Sequence, residues 1–238
     1  MSRLPFLVVA VCLGACTASD GADGGMLVSK NVVPGDGCTF TGEENETIIP
    51  AGSLQIGFAY YAFPQIKSRI TADDDQVDQR TIITTEADVD LTFSDPDLFT
   101  SDELDKLKTD GVTHFKGLFS VPVQPNGGIA DGSFTMVPTE VSDAITAKLG
   151  TVPANFSTTV VGTYTVKGDM AGEGIESNKF QFPVTIIGAG LVEDLGSCPV
   201  PSSDTPRSGN PCNVGQDAVY DCCESGGGLI CPAPTGGS

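Results

Sequence analysis

Cysteine is the residue type in this chain with the most chemistry to offer. The sequence holds eight, and five of them fall after residue 197, as Cys198-x13-Cys212-x9-Cys222-Cys223-x7-Cys231. Zinc wants thiolates two to four residues apart, or thiolates with imidazoles, so that short loops can close a tetrahedron. Here the spacings are long, two cysteines are adjacent, and the single histidine, His114, is far away in sequence. The pattern points to disulfides, with no metal. Asp73-Asp74-Asp75-Gln76-Val77-Asp78 offers hard oxygen ligands of the kind calcium takes, with Asp73, Asp75 and Asp78 as the candidates. An EF-hand would place an oxygen ligand at position 77, glycine at 78 and glutamate at 84. The chain has Val77, Asp78 and Thr84, so a solvated acidic loop is expected, with a calcium site outside the EF-hand pattern as the alternative. Glu86, Asp88 and Asp90 would line one strand face, which is the ordinary state of a solvated strand. His114 alternates with Phe115 and reads as a sheet-surface residue. No Gly-x-Ser-x-Gly, His-Glu-x-x-His or phosphate-loop motif occurs, and Gly188-Ala189-Gly190 lacks the third glycine of a dinucleotide turn. Among 31 acids a glycosidase-type carboxylate pair stays open. The expectation is a protein that is not an enzyme and holds no cofactor.

The elements that must position these groups are strands. From Met26 to about Ile187 the hydrophobic period is two. Leu54, Ile56, Phe58 and Tyr60 alternate with Gln55, Gly57 and Ala59. Between Ile83 and Phe93, Ile83, Ala87, Val89, Leu91 and Phe93 share a face on which Thr85 is the polar exception. The same alternation runs through Phe115, Phe119, Val121 and Val123, through Phe134 and Met136, and through Phe180, Phe182, Val184 and Ile186. Pro183 in the last of these requires an edge or a bulge, because it has no N–H for a ladder. Turns recur at Pro34-Gly35-Asp36-Gly37, Asp95-Pro96-Asp97, Pro125-Asn126-Gly127-Gly128 and Ala171-Gly172-Glu173-Gly174. Seven or so short strands over this length predict an all-β, immunoglobulin-like β-sandwich. Two helical crossovers interrupt it. One spans Ser101 to Leu107, capped at Thr100 or Ser101, and the other runs from Thr139 to Leu149 and stops at Gly150.

The amino end has a different character. Arg3 precedes an apolar run from Leu4 to Leu13, too short for a bilayer that needs about twenty residues and suited to a signal peptide. Leu13-Gly14-Ala15-Cys16 closes the run and resembles the lipobox of bacterial lipoprotein precursors. The resemblance implies cleavage before Cys16, palmitate-type acylation of Cys16, and an address in the cell envelope. Thr17, where an inner-membrane protein of this kind would have Asp, implies sorting to the outer membrane. Several acyl chains on one cysteine would hold firmly, at about 0.8 kcal/mol per buried CH₂. Residues 16–25 then form a tether, 26–190 the sandwich and 191–238 a Cys-rich tail. With Cys12 in the signal peptide and Cys16 acylated, six cysteines remain: Cys38, Cys198, Cys212, Cys222, Cys223 and Cys231. Six suit three disulfides in an oxidising compartment. Five cannot pair among themselves, so Cys38 must reach the tail. Cys38–Cys198 is the preferred partner, as a tie between the first strand and the end of the last, although sequence leaves fifteen connectivities open. The tail has too few apolar residues for a core of its own, and reads either as a stapled mini-module or as a strap across the sandwich.

The segment Val160-Val161-Gly162-Thr163-Tyr164-Thr165-Val166-Lys167-Gly168, its Gly-rich turn, and Glu176-Ser177-Asn178-Lys179-Phe180-Gln181-Phe182-Pro183-Val184 form a hairpin signature. It resembles Cys-rich lipoproteins of myxobacteria and related bacteria, in which such a hairpin ends a sandwich and a Cys-rich tail follows. The likeness is strongest over residues 158–231, and it implies architecture and location without an activity.

Charge sets limits on partners. The chain carries a formal charge of −19, and removing residues 1–15 would take away Arg3 alone. Nothing in that balance could neutralise phosphates and release counterions, so nucleic acid is excluded as a partner. Membrane attachment has to come from lipid, not from basic residues. Two readings follow. In the first, a non-catalytic envelope lipoprotein binds a protein or glycan; in the second, it is a spacer without a specific ligand. An exposed patch built from Tyr60, Tyr61, Phe63, Phe115 or Tyr164 would favour the first, and burial of those rings the second. A hydrolase using paired carboxylates is the third reading.

Overall fold

The structure is a computed structural model that describes residues 25–72 and 80–236. In chain order these form β1 (Met26–Asn31), β2 (Gly52–Gln55), β3 (Tyr60–Ala62), β4 (Pro64–Ser68), β5 (Ile82–Phe93), α1 (Ser101–Thr109), β6 (His114–Leu118), β7 (Pro122–Val123), β8 (Ile129–Asp131), β9 (Phe134–Val137), α2 (Thr139–Leu149), β10 (Ser157–Met170), β11 (Glu173–Glu176) and β12 (Phe180–Ile187). The tail adds β13 (Val192–Ser197), β14 (Tyr220–Ser225) and β15 (Gly228–Ile230).

β10 is the centre of the large sheet because its sequence alternates without a fault. Val160, Gly162, Tyr164 and Val166 face inward, while Thr159, Val161, Thr163 and Thr165 stay half-exposed on the other side. β10 pairs antiparallel with β5 and with β12. β2 then joins β12 in parallel and β6 joins the far side of β5, giving the order β2-β12-β10-β5-β6. The opposite layer is built from β1-β4-β8 and the pair β3-β9. Leu54, Val89, Leu91, Val160, Tyr164, Phe182, Val184 and Ile186 of the large sheet share one core with Met26, Val28, Tyr60, Ile66, Phe134 and Met136 of the smaller sheets. β1 lies in one layer, and β2, after a long connection, lies parallel to the last sandwich strand in the other. The chain is thus an all-β, immunoglobulin-like sandwich with a disulfide-rich tail.

Three details depart from simple alternation. The run Leu54 to Tyr60 is not one strand: Gly57 has φ +91°, a conformation open to glycine and costly for other residues, and it separates β2 from β3. In β5 the register slips by one residue beside Lys167, which pairs with Glu86 while Gly168 pairs with Thr84. This bulge at Thr85 reverses the faces. Ile82 and Thr84 are buried, and Ile83 is 43% exposed although it was expected to share the inner face of Val89. Pro183 lies in β12, a strand with neighbours on both sides, but β2 pairs only with Val184 to Ile187. At Pro183 the strand is therefore locally an edge, as its missing N–H requires.

Both crossovers are helices. α1 begins at a capping box: Thr100 Oγ1 accepts from Glu103 N–H at 3.3 Å, and Glu103 Oε2 accepts from Thr100 N–H at 2.7 Å. It buries no residue, so its caps and its ion pair to α2 must supply what packing does not. α2 packs Val141 and Ile145, one turn apart, into the core and ends before Gly150.

Candidate functional site

The six cysteines expected to be oxidised are all paired. Cys38 bonds Cys212, Cys198 bonds Cys223, and Cys222 bonds Cys231. The expectation that Cys38 reaches the tail holds, but its partner is Cys212 and not Cys198. The reason is the path of the tail. β13 leaves the sandwich to lie parallel to β14, which carries Cys198 to Cys223, whereas the loop after residue 209 returns to the sandwich and delivers Cys212. Cys222 and Cys223 are adjacent on β14, so they point to opposite sides of it and take separate partners.

That returning loop is a strap along the β2 edge. Gln55 N–H donates to Gly215 O at 2.8 Å and Asp217 N–H donates to Ser53 O at 2.9 Å, so residues 215–217 continue the sheet past β2. Gln216 is fully buried. Its amide behaves as a length of strand: Oε1 accepts from Tyr61 N–H at 2.9 Å and Nε2 donates to Tyr61 O at 2.8 Å. The Asp217 carboxylate accepts from Ser53 N–H at 2.9 Å and from Tyr60 Oη–H at 3.1 Å. Burial pushes both the Asp217 carboxyl and the Tyr60 phenol above their ordinary values. Gly52 makes room for this arrangement, since a Cβ there would stand 2.5 Å from the Tyr60 ring. Both readings of the tail apply: residues 215–217 are a strap, while β13, β14 and β15 form a stapled module with a small core of Val200, Cys223 and Ala233. Gln216 and Asp217 look like ordinary polar loop residues in the sequence, which carries no local signal for them.

On the outer face of the large sheet, each acid of the row meets a side chain from a neighbouring strand. Lys116 Nζ lies 2.8 Å from Glu86, Lys167 Nζ 2.9 Å from Asp88, and His114 Nδ1 2.7 Å from Asp90. The Lys167 ammonium holds the Asp88 carboxyl below its ordinary range. Among the described residues no group of three or more His, Cys, Asp or Glu side chains is arranged to hold a metal. The calcium candidates Asp73, Asp75 and Asp78, and the lipidation candidate Cys16, lie outside the described residues.

Two acids do meet. Glu46, in the loop between β1 and β2, and Asp131, at the end of β8, are half-buried and lie against each other, held by the adjacent amides of Thr41 and Gly42. Glu46 Oε1 accepts from Thr41 N–H and Oγ1–H at 2.7 and 2.9 Å, and Oε2 accepts from Gln65 Nε2–H at 3.0 Å. Asp131 Oδ2 accepts from Gly42 N–H at 2.9 Å, while Oδ1 is shut off from solvent with no donor. Burial first, and the Glu46 carboxyl second, push Asp131 up to about 6. Carboxyl groups in contact leave no room for the sugar or the water that a glycosidase pair brackets at about 5 Å or more.

A groove of about 460 Å³ lies between the helices, with Phe99, Leu107, Ala144 and Ala147 as its apolar floor. Its rim charges satisfy each other: Lys148 Nζ sits 2.8 Å from Glu103, and Lys106 pairs with Asp110. Lys148, helped by the Thr100 cap, holds the Glu103 carboxyl at about 2. The aromatic residues that would have built a binding patch are elsewhere. Tyr60, Phe63 and Tyr164 are buried in the interior, and Tyr61 and Phe115 are half-buried.

Fold and cross-links together define a disulfide-stapled all-β protein of the extracytoplasmic kind, because such bonds persist where thiols are not kept reduced. No helix among the described residues is long and apolar enough to cross a membrane. No protein-family model matches the chain, and no curated protein matches it.

Proposed function

We propose that the protein is a lipid-anchored envelope protein with a structural role: a sandwich held off the outer membrane on a short tether from acylated Cys16, without catalysis. Burial of the aromatic rings carries the structural reading over the ligand-binding one. Tyr60 and Tyr164 spend their hydroxyls inside the fold, on Asp217 and Asn31, so that among the described residues the candidate rings form no coherent exposed aromatic face for a protein or glycan partner. The disulfides support a site of action outside the cytoplasm, and the negative charge keeps such bodies apart at high surface density.

Anchoring is tested by labelling cells with radioactive palmitate and comparing the wild-type chain with Cys16→Ala. Label on the wild type and none on the variant is expected. Equal labelling of both would remove the anchor. Ligand binding is the second reading, and the groove between α1 and α2 is its place. A glycan array and an envelope pull-down that return no partner, with wild type and Leu107→Glu alike, accord with the structural reading. A partner lost in Leu107→Glu would replace it.

A further inference from the structure

The long connection between β1 and β2 runs past β4 to the end of β8, and four kinds of contact fasten it, to the tail strap, β1, β4 and β8 in turn. Cys38 is bonded to Cys212. Lys30 Nζ donates to the carbonyls of Glu44 and Glu46, each at 2.7 Å, and Gln65 Nε2 donates to Glu43 O at 2.9 Å. The fourth fastening is the contact of Glu46 with Asp131, and it differs from the others in needing something the side chains do not supply. Two carboxylates are acceptors only. Every other oxygen of the pair has a donor from Thr41, Gln65 or Gly42. Asp131 Oδ1 alone is enclosed and without one, and a buried acceptor in that state is costly.

We propose that a single proton shared between Asp131 and Glu46 is a latch that fastens the 33–48 loop to the end of β8, and that the loop loosens when this proton is lost to solvent. Protonated, the pair forms a carboxyl–carboxylate hydrogen bond that satisfies Oδ1. Deprotonated, it sets two like charges in contact and leaves Oδ1 bare. The charged groups around it on the packed elements are Lys30 of β1, engaged with loop carbonyls, Lys67 of β4, paired with Glu44 at 2.8 Å, and Glu43 and Glu44 of the loop itself. Neither lysine makes a hydrogen bond or ion pair to either carboxyl of the pair.

The sign follows from linkage. Asp131 titrates near 6 when latched and near 4, the ordinary carboxyl value, when the loop is open. The latched state therefore binds the proton more tightly. Its advantage is complete below about pH 4 and is lost as pH rises through about 6. From pH 5 to pH 8 the opening equilibrium should grow about tenfold. The latch is independent of the anchoring proposal, since it uses only residues of the sandwich.

The test is hydrogen–deuterium exchange of the full chain at pH 5 and pH 8, corrected for intrinsic rates. Amides of residues 40–48 in the wild type should lose about tenfold in protection at pH 8, while β10 should not change. In Asp131→Asn, whose amide can donate to Glu46 permanently, protection at pH 8 should match the wild type at pH 5. Unchanged wild-type protection between the two pH values would overturn the proposal, as would a tenfold drop that persists in Asp131→Asn. Should that variant fail to fold, the ¹³Cγ resonance of Asp131 in the wild type gives the same decision. A midpoint near 6 supports the latch and one near 4 overturns it.

Discussion

At the scale of single residues, the chain uses buried polar groups as fasteners, and each is defined by what would be left unpaired without it. Asp217 satisfies Ser53 N–H and Tyr60 Oη–H, which lie on two different strands. Asp217→Ala strands both donors and should lower the unfolding free energy by about 1–3 kcal/mol in urea titrations, the usual cost of an orphaned buried group. Wild-type stability in that variant would contradict the strap. Tyr60→Phe removes a single bond and should cost about 0.5–1.5 kcal/mol. These residues were not legible in the sequence. Gln216 and Tyr61 are 155 positions apart, and Glu46 and Asp131 are joined only by the fold, so no local pattern marks any of them. The cysteines were partly legible. Parity required Cys38 to reach the tail, but the choice of Cys212 over Cys198 depends on the direction β13 takes, which spacing does not record.

At the scale of elements, periodicity and capping chemistry were strong signals. β9, β12, α1 and α2 lie where alternation, the Thr100 cap and the Gly150 stop put them, and β10 contains the first arm of the hairpin signature at Val160 to Gly168. Simple alternation fails where one residue changes the backbone's phase. Thr85 is such a residue: as the polar exception on an apolar face it carried the trace of a bulge, and the bulge moves Ile83 to solvent. Gly57 likewise cuts an apparently continuous strand in two. Because α1 has no buried residue, its stability should be unusually sensitive to its ends. Thr100→Ala should destabilise it by about 1 kcal/mol. The effect should appear as faster amide exchange confined to α1, with β10 unaffected. Equal loss of protection through both would mean that the helix is packed as part of the core.

At the scale of the whole molecule, a small second core of Val200, Cys223 and Ala233 is held to the sandwich by the single cross-link Cys38–Cys212 and by the strap. The Cys38–Cys212 bond closes a separation of 174 residues, which in the chain-entropy picture removes about 5 kcal/mol of unfolded-state freedom. The double variant Cys38→Ser/Cys212→Ser should lose stability up to that amount and expose residues 210–217 to proteolysis. Resistance equal to the wild type would show that hydrogen bonds alone hold the strap. The proposed acyl anchor lies at the amino end, and five of the six disulfide cysteines lie at the carboxyl end. Mass spectrometry of the unreduced mature protein tests both ends in one sample. The predicted result is an amino-terminal peptide that begins at acylated Cys16, with Cys38 linked to Cys212 and with Cys198 and Cys231 both joined to the Cys222-Cys223 peptide. A chain that begins at Met1 and carries free thiols at those six positions would contradict it.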